Sequence, residues 1–106
     1  MNKKAYFSVL TFVLGASPLL HADNDVFDNT TVTENFINAS LVDSSWYKTI
    51  ASGVQFTGSN LTNANFNSAT LNDTDFTDTN LTNANFRGAT LTGADLSGAE
   101  IRGAKF

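Results

Sequence analysis

A solenoid is the fold class that this sequence predicts, and three observations carry the prediction. Large apolar residues recur every five positions: Phe36, Leu41, Trp46, Phe56, Leu61, Phe66, Leu71, Phe76, Leu81, Phe86, Leu91, Leu96, Ile101 and Phe106, with Ala51 the one small residue in the series. A small residue, most often alanine, stands two places before almost every anchor, as at Ala39, Ala64, Ala69, Ala84, Ala89, Ala94, Ala99 and Ala104. The positions between are nearly all Asn, Asp, Thr, Ser or Gly. A period of five matches neither the turn of an α-helix nor the two-residue pleat of a strand, so neither element could keep these anchors on one side. Self-similarity at a fixed short period marks stacked repeats instead.

The segments Ala64-Asn65-Phe66-Asn67-Ser68, Ala84-Asn85-Phe86-Arg87-Gly88 and Ala94-Asp95-Leu96-Ser97-Gly98 resemble the A(D/N)Lxx unit of the pentapeptide repeat proteins. The resemblance covers residues 34–106 in unbroken register. It implies an all-β fold, a right-handed quadrilateral β-helix in which four repeats make one square coil and coils stack by β-bridges. Residues twenty apart then form columns. Phe36, Phe56, Phe76 and Leu96 make one, opposite Trp46, Phe66, Phe86 and Phe106; Leu41, Leu61, Leu81 and Ile101 make another, opposite Ala51, Leu71 and Leu91. Aromatics thus face aromatics and aliphatics face aliphatics, a matching of volumes across a narrow core.

In chain order, Lys3 and Lys4 precede an uncharged apolar run from Ala5 to Leu14, then Gly15, Pro18 and Ala22. That is the pattern of a signal peptide over residues 1–22, too short in its apolar part to span a bilayer, with cleavage expected after Ala22. Residues 23–33 are read as an N-terminal linker or cap, with Val26, Phe27 and Val32 folding over the open end. The repeat domain is 34–106, and its first coil, 34–53, is degenerate: Glu34 takes a small inward position, Ala51 underfills its site, and Ile37, Val42 and Ile50 are apolar where other repeats are polar. Terminal repeats are expected to be atypical. The whole makes about three and a half coils under the four-repeat rule the resemblance supplies. Gly58, Gly88, Gly93, Gly98 and Gly103 end their repeats, where a tight corner suits a residue without a β-carbon. Asn60 under Asn80, Asn65 under Asn85, Thr57 under Thr77, Thr62 under Thr82 and Thr70 under Thr90 are placed to hydrogen-bond along the axis, although tandem duplication alone accounts for the same pattern.

Removing residues 1–22 leaves Lys48, Arg87, Arg102 and Lys105 against ten acidic residues, a net charge of −6. That balance argues against nucleic acid as a partner, because phosphate contacts need Lys and Arg. The only histidine, His21, falls in the signal peptide and there is no cysteine. Cys/His nucleophile pairs, His-based triads and the usual zinc sites are therefore excluded. No catalytic residue, cofactor or metal site is assigned, and an enzyme is not expected. Asp73, Asp75 and Asp78 form an acidic cluster faintly like a calcium loop, but one lacking its glycine and closing glutamate, so a solvated patch is the plainer account. The sequons at Asn29, Asn38, Asn60 and Asn80 matter only in a glycosylating pathway.

The sequence supports an exported protein, periplasmic or secreted, that serves as a structural or protein-binding module free of the membrane after cleavage. Tyr47, Arg87 and Phe106 are the candidate interaction surface, since exposed aromatic and arginine side chains are enriched in binding hot spots. A homodimer through the C-terminal coil is expected, because Phe106 closes an aromatic column with no visible cover. One alternative, implied by the resemblance, is an acidic duplex-DNA mimic that protects DNA gyrase, which requires a cytoplasmic chain. The other is ice or surface binding through Thr and Asn ladders. Ice binding wants two threonine columns on one face, and the register offers the pair only at Thr90-Leu91-Thr92.

Overall fold

A computed structural model describes residues 22–106; the expected signal peptide, apart from Ala22, lies outside the described residues. Each five-residue unit is a two-residue turn followed by one residue in a parallel bridge. The turn is closed from the small residue back to the anchor, as in Ala64 N to Leu61 O at 3.0 Å. Its second central residue has a positive φ: 61° at Asn63, 57° at Asp73 and 71° at Gly58. A turn with φ > 0 at that position is type II, which selects Gly or Asn. The corner position accordingly reads Gly, Asn or Asp in nearly every repeat, with Lys48 and Ser68 as the exceptions. The glycine corners expected from sequence are thus one version of a position that Asn and Asp also fill.

The bridges fall into four columns, which gives the coil its four sides. They run through Val26, Ser45, Asn65, Asn85 and Lys105; through Thr31, Ile50, Thr70 and Thr90; through Gln55, Asp75 and Asp95; and through Ser40, Asn60, Asn80 and Glu100. Backbone hydrogen bonds of 2.6–3.1 Å join each coil to the next, for example Asn60 N to Ala39 O at 2.9 Å and Leu61 N to Asn80 O at 2.8 Å. Such pairing satisfies the main chain of a segment that has no conventional strand or helix.

The coil begins earlier than expected. Val26 pairs with Ser45 and Thr31 with Ile50, each nineteen residues apart, whereas from Ser40 onward partners are twenty apart. One residue is missing between Val32 and Phe36, so the repeat there has four residues and the period breaks. Residues 23–33 are therefore not a linker or a lid but part of the β-helix, with Phe27 and Val32 as buried anchors. The column from Val26 to Lys105 has five members, making the stack longer than three and a half coils. Ala51, expected to underfill its site, is fully enclosed. Three residues on, Val54 is buried at a position that from Ala39 onward otherwise holds Ala, Ser or Thr, restoring apolar volume to that coil.

Within the core the aromatic columns form a herringbone. Phe36, Phe56 and Phe76 stack at 5.4 and 5.2 Å with rings within 9° of parallel. Phe27, Trp46, Phe66 and Phe86 stack opposite them at 4.0, 5.5 and 5.0 Å. Rings of the two columns meet edge to face, as in Phe66 against Phe76 at 5.6 Å and 81°. Edge-to-face pairs set the positive ring edge against a negative face, worth about 0.5–1.5 kcal/mol beyond area burial. Several polar inward residues are satisfied internally: Trp46 Nε1 donates to Ser44 Oγ at 2.7 Å, Thr49 Oγ1 to Phe27 O at 2.8 Å and Thr79 Oγ1 to Phe56 O at 2.9 Å. The fully enclosed core stops at Phe86. Leu91 and Leu96 are only partly buried, and Ile101 and Phe106, expected as core, are 50% and 62% exposed.

Candidate functional site

Every outward side chain flanks an anchor, so each side of the coil is a flat face two residues wide, named here by a central anchor. On three faces the residue before the anchor is Asn or Asp in the repeats from Asn60 to Asp95, and its carboxyl or amide oxygen reaches two residues forward. Asn60 Oδ1 accepts from Thr62 N at 3.1 Å and Thr62 Oγ1 at 2.6 Å, and Asn80 holds Thr82 in the same way. Asn65 accepts from Asn67 N at 3.0 Å and Asn85 from Arg87 N at 3.1 Å. These are local Asx turns. The stacked polar side chains therefore bond within their own coil rather than forming axial ladders; the axial bonds belong chiefly to the backbone. Asn63 Nδ2 to Asp43 Oδ1, at 2.9 Å, is one side-chain bond that does run between coils.

The Phe76 face carries Asp75 and Asp95, with Asp73 and Asp78 at its two corners. Thr77 donates both its hydroxyl and its N–H to Asp75 Oδ1, and Thr57 Oγ1 donates to Oδ2 at 3.1 Å. The Thr77 hydroxyl, then the Thr77 N–H, holds the Asp75 carboxyl below the usual carboxylate range. The Ser97 hydroxyl, then the Ser97 N–H, does the same for Asp95. Both stay charged well into acid. Asp73 and Asp78 are corner residues with φ of 57° and 55°. Each member of the predicted acidic cluster thus has a turn role, and among the described residues no group of three or more His, Cys, Asp or Glu could hold a metal ion.

The opposite, Phe66 face brings together the three residues singled out from sequence. Tyr47, Asn67 and Arg87 lie in one outward column, successive coils being joined by Lys48 N to Asn67 O at 3.0 Å and Ser68 N to Arg87 O at 2.9 Å. Phe106 stacks on Phe86 at 5.2 Å at the same side. Lys105 pairs with Asn85 in the adjoining column, and Lys48 Nζ sits 5.2 Å from the centre of the Tyr47 ring. One residue that sequence reading missed fixes the N-terminal edge: Asp28 Oδ1 accepts from Tyr47 N at 2.9 Å and Ser45 Oγ at 2.5 Å. Three of the four cations among the described residues, Lys48, Arg87 and Lys105, therefore lie on this face or its corner. The Leu61 face bears Glu100 and Arg102. The Leu71 face bears no charge between its corners: its outward pairs are Thr31 and Thr33, Ile50 and Ser52, Thr70 and Asn72, and Thr90 and Thr92.

A four-sided stack of five-residue units with inward Phe and Leu is the fold of a β-helical repeat protein. The model of the pentapeptide repeat region matches residues 29–106, and the chain belongs to the pentapeptide repeat family. Among solved structures, it is similar to a pentapeptide repeat protein from the cyanobacterium Cyanothece 51142, at 19% identity over 97% of this chain and 87% of that one, with a TM-score of 0.66. It is also similar to a pentapeptide repeat protein of the Arabidopsis thaliana thylakoid lumen, at 26% identity over 76% of this chain and 65% of that one, with a TM-score of 0.50. A third similar structure is QnrB1, a plasmid-mediated fluoroquinolone resistance protein, at 22% identity over 76% of this chain and 43% of that one, with a TM-score of 0.42. No curated protein matches by sequence.

Proposed function

We propose that the chain is an exported, non-catalytic pentapeptide repeat protein that acts as a protein-binding module, with the Phe66 face as its contact surface. The observation that carries this reading is the segregation of charge. Lys48, Arg87 and Lys105 gather with Tyr47 on one face, where Asp28 and the corner residue Asp43 are the carboxylates, while Asp73, Asp75, Asp78 and Asp95 line the opposite one, which bears no cation. In a chain this acidic, a basic and aromatic face fits an acidic protein surface and orients it, since complementary charge sets approach and register more than raw affinity. The exposed anchors Phe106 and Ile101 form a separate apolar surface at the C-terminal coil, where a second copy meeting them about a two-fold axis closes the contact. Proximity labelling on the exported chain, repeated with Arg87→Glu and Tyr47→Ala, tests the reading. A partner labelled by the unaltered chain and lost from both variants supports it; a labelling pattern that neither variant changes overturns it.

The acidic Phe76 face favours a second reading. A chain retained in the cytoplasm would present its carboxylates as a duplex mimic and protect DNA gyrase. Gyrase supercoiling assays with quinolone, using Asp75→Asn and Asp95→Asn as comparisons, separate this reading from the first.

A further inference from the structure

We infer that the Leu71 face is an ice-binding surface. This goes beyond the protein-binding reading and uses a different side of the molecule. The short repeat between Val32 and Phe36 is what completes the face, because it sets Thr31 in the column of Ile50, Thr70 and Thr90. Thr33 follows Val32 on the outer side, as Ser52 follows Ala51, Asn72 follows Leu71 and Thr92 follows Leu91. Threonine is thereby present in three of the four rows, and at both positions in the last.

Two further features distinguish this face. On the Leu61 and Phe76 faces, Asx turns engage side chains that follow the anchors: Thr62, Thr82 and Thr77 give their hydroxyls to the Asn or Asp two places earlier. Here the residue before the anchor is Thr or Ile, and the hydroxyls of Thr31, Thr33, Ser52, Thr70, Thr90 and Thr92 have no intramolecular partner among the described residues. Each remains able to donate one hydrogen bond and accept two. Threonine is also stiff about its first side-chain torsion, so the array is ordered before it meets anything.

The size and chemistry of the face select the occupant. With coils about 4.8 Å apart and residues i and i+2 about 6.7 Å apart, four rows cover on the order of 130 Å². Protein contacts are anchored by aromatic and arginine side chains, which the Phe66 face has in Tyr47 and Arg87 and this face lacks, and that disfavours a second copy or another globular protein here. The face is flat, not concave, and carries no aromatic ring, unlike the pockets that hold small ligands. It carries no charge between its corners, which removes an ionic mineral surface. A repeating, neutral solid whose every site both donates and accepts hydrogen bonds remains, and that is ice.

The test is thermal hysteresis together with inhibition of ice recrystallisation, measured on the full chain and three variants. Thr70→Lys and Thr92→Lys place a hydrated charge on the face, whereas Ser97→Lys places the same charge on the Phe76 face. Thermal melts establish that each variant is folded, and Thr92, fully exposed, serves if the half-buried Thr70 position does not tolerate lysine. The expected result is activity in the unaltered chain and in Ser97→Lys, abolished in the folded face variants. Absence of both activities from the unaltered chain overturns the proposal. So does activity that survives in the face variants or is lost equally in Ser97→Lys. None of these outcomes bears on partner capture through Tyr47 and Arg87.

Discussion

The carboxylate oxygen of Asp78 fills the space that a side chain on Gly98, one coil above it, would require. A β-carbon at Gly98 would lie 2.1 Å from Asp78 Oδ1, and the residue has φ of 72°. Alanine there would meet the left-handed backbone and would also have to turn the Asp78 carboxylate aside. Gly53 has φ of 75° but nothing within 4 Å of an added β-carbon. Gly53→Ala should lose only the backbone share, about 1–2 kcal/mol, and Gly98→Ala that share plus the cost of displacing the Asp78 side chain. Adding Asp78→Gly should recover part of the loss from Gly98→Ala, a non-additivity that urea titration of the single and double variants will register.

Phe76 is fully buried, stacked on Phe56 at 5.2 Å and edge-on to Phe66 and Phe86 at 5.6 Å each. Phe76→Ala should cost about 3–5 kcal/mol. Thr90→Ala, an outward change without a side-chain partner, should stay within about 0.5 kcal/mol. Thr77 is a poorer control than its outward position suggests, because its hydroxyl holds Asp75. Equal losses for Phe76→Ala and Thr90→Ala in urea would contradict the inward and outward assignment.

Asp75 has a carboxyl held below its ordinary range by Thr77. A folded-state value below the unfolded one adds stability that is present above the unfolded pKa and is lost as pH falls through the folded pKa. Stability should therefore decline only in the acid range, below the pH at which an ordinary aspartate protonates. Thr77→Val removes the hydroxyl, so it should raise the Asp75 titration midpoint and reduce this contribution. NMR titration of the Asp75 side chain in both proteins checks the direction; an unchanged midpoint would discard the assignment.

Export predicts that native material begins at Asp23. N-terminal sequencing of protein from the cell envelope or medium decides it, and recovery of Met1 from the cytosol would transfer weight to the gyrase reading.

Self-association through Phe106 and Ile101 is expected to give a dimer in light scattering, and Phe106→Asp a monomer. The ring of Phe106 already stacks on Phe86 at 5.2 Å while 62% of its surface is exposed, so a partner would extend an existing column. A monomer at all accessible concentrations for the unaltered chain would end this proposal.

The period of five was enough to place every anchor from Phe36 to Phe86 inside and to pair the columns correctly, because each repeat makes the same local turn and the turn fixes which side chains point inward. Volume matching of Phe against Phe and Leu against Leu was legible for the same reason. Sequence reasoning lost the register where the period did, at the four-residue repeat between Val32 and Phe36, and so took Phe27 and Val32 for a lid. It recognised glycine corners but not Asn63, Asp73 or Asp78 as the same corner, since left-handed backbone is a property of φ that different side chains can satisfy. It read Thr and Asn columns as axial ladders, because stacking is visible in a repeat whereas the choice between a neighbour two residues ahead and one twenty ahead depends on side-chain reach.

What the sequence by itself determined is the repeat, the identity of the core and the sign of the net charge, all set by spacing and composition. What only the tertiary structure decided is how the outward residues share the four faces: Tyr47, Arg87 and Lys105 on one, Asp75 and Asp95 opposite, and an uncharged threonine face between them. That distribution depends on superposing residues some twenty positions apart, and a single missing residue between Val32 and Phe36 shifts the partners of the residues before it by one.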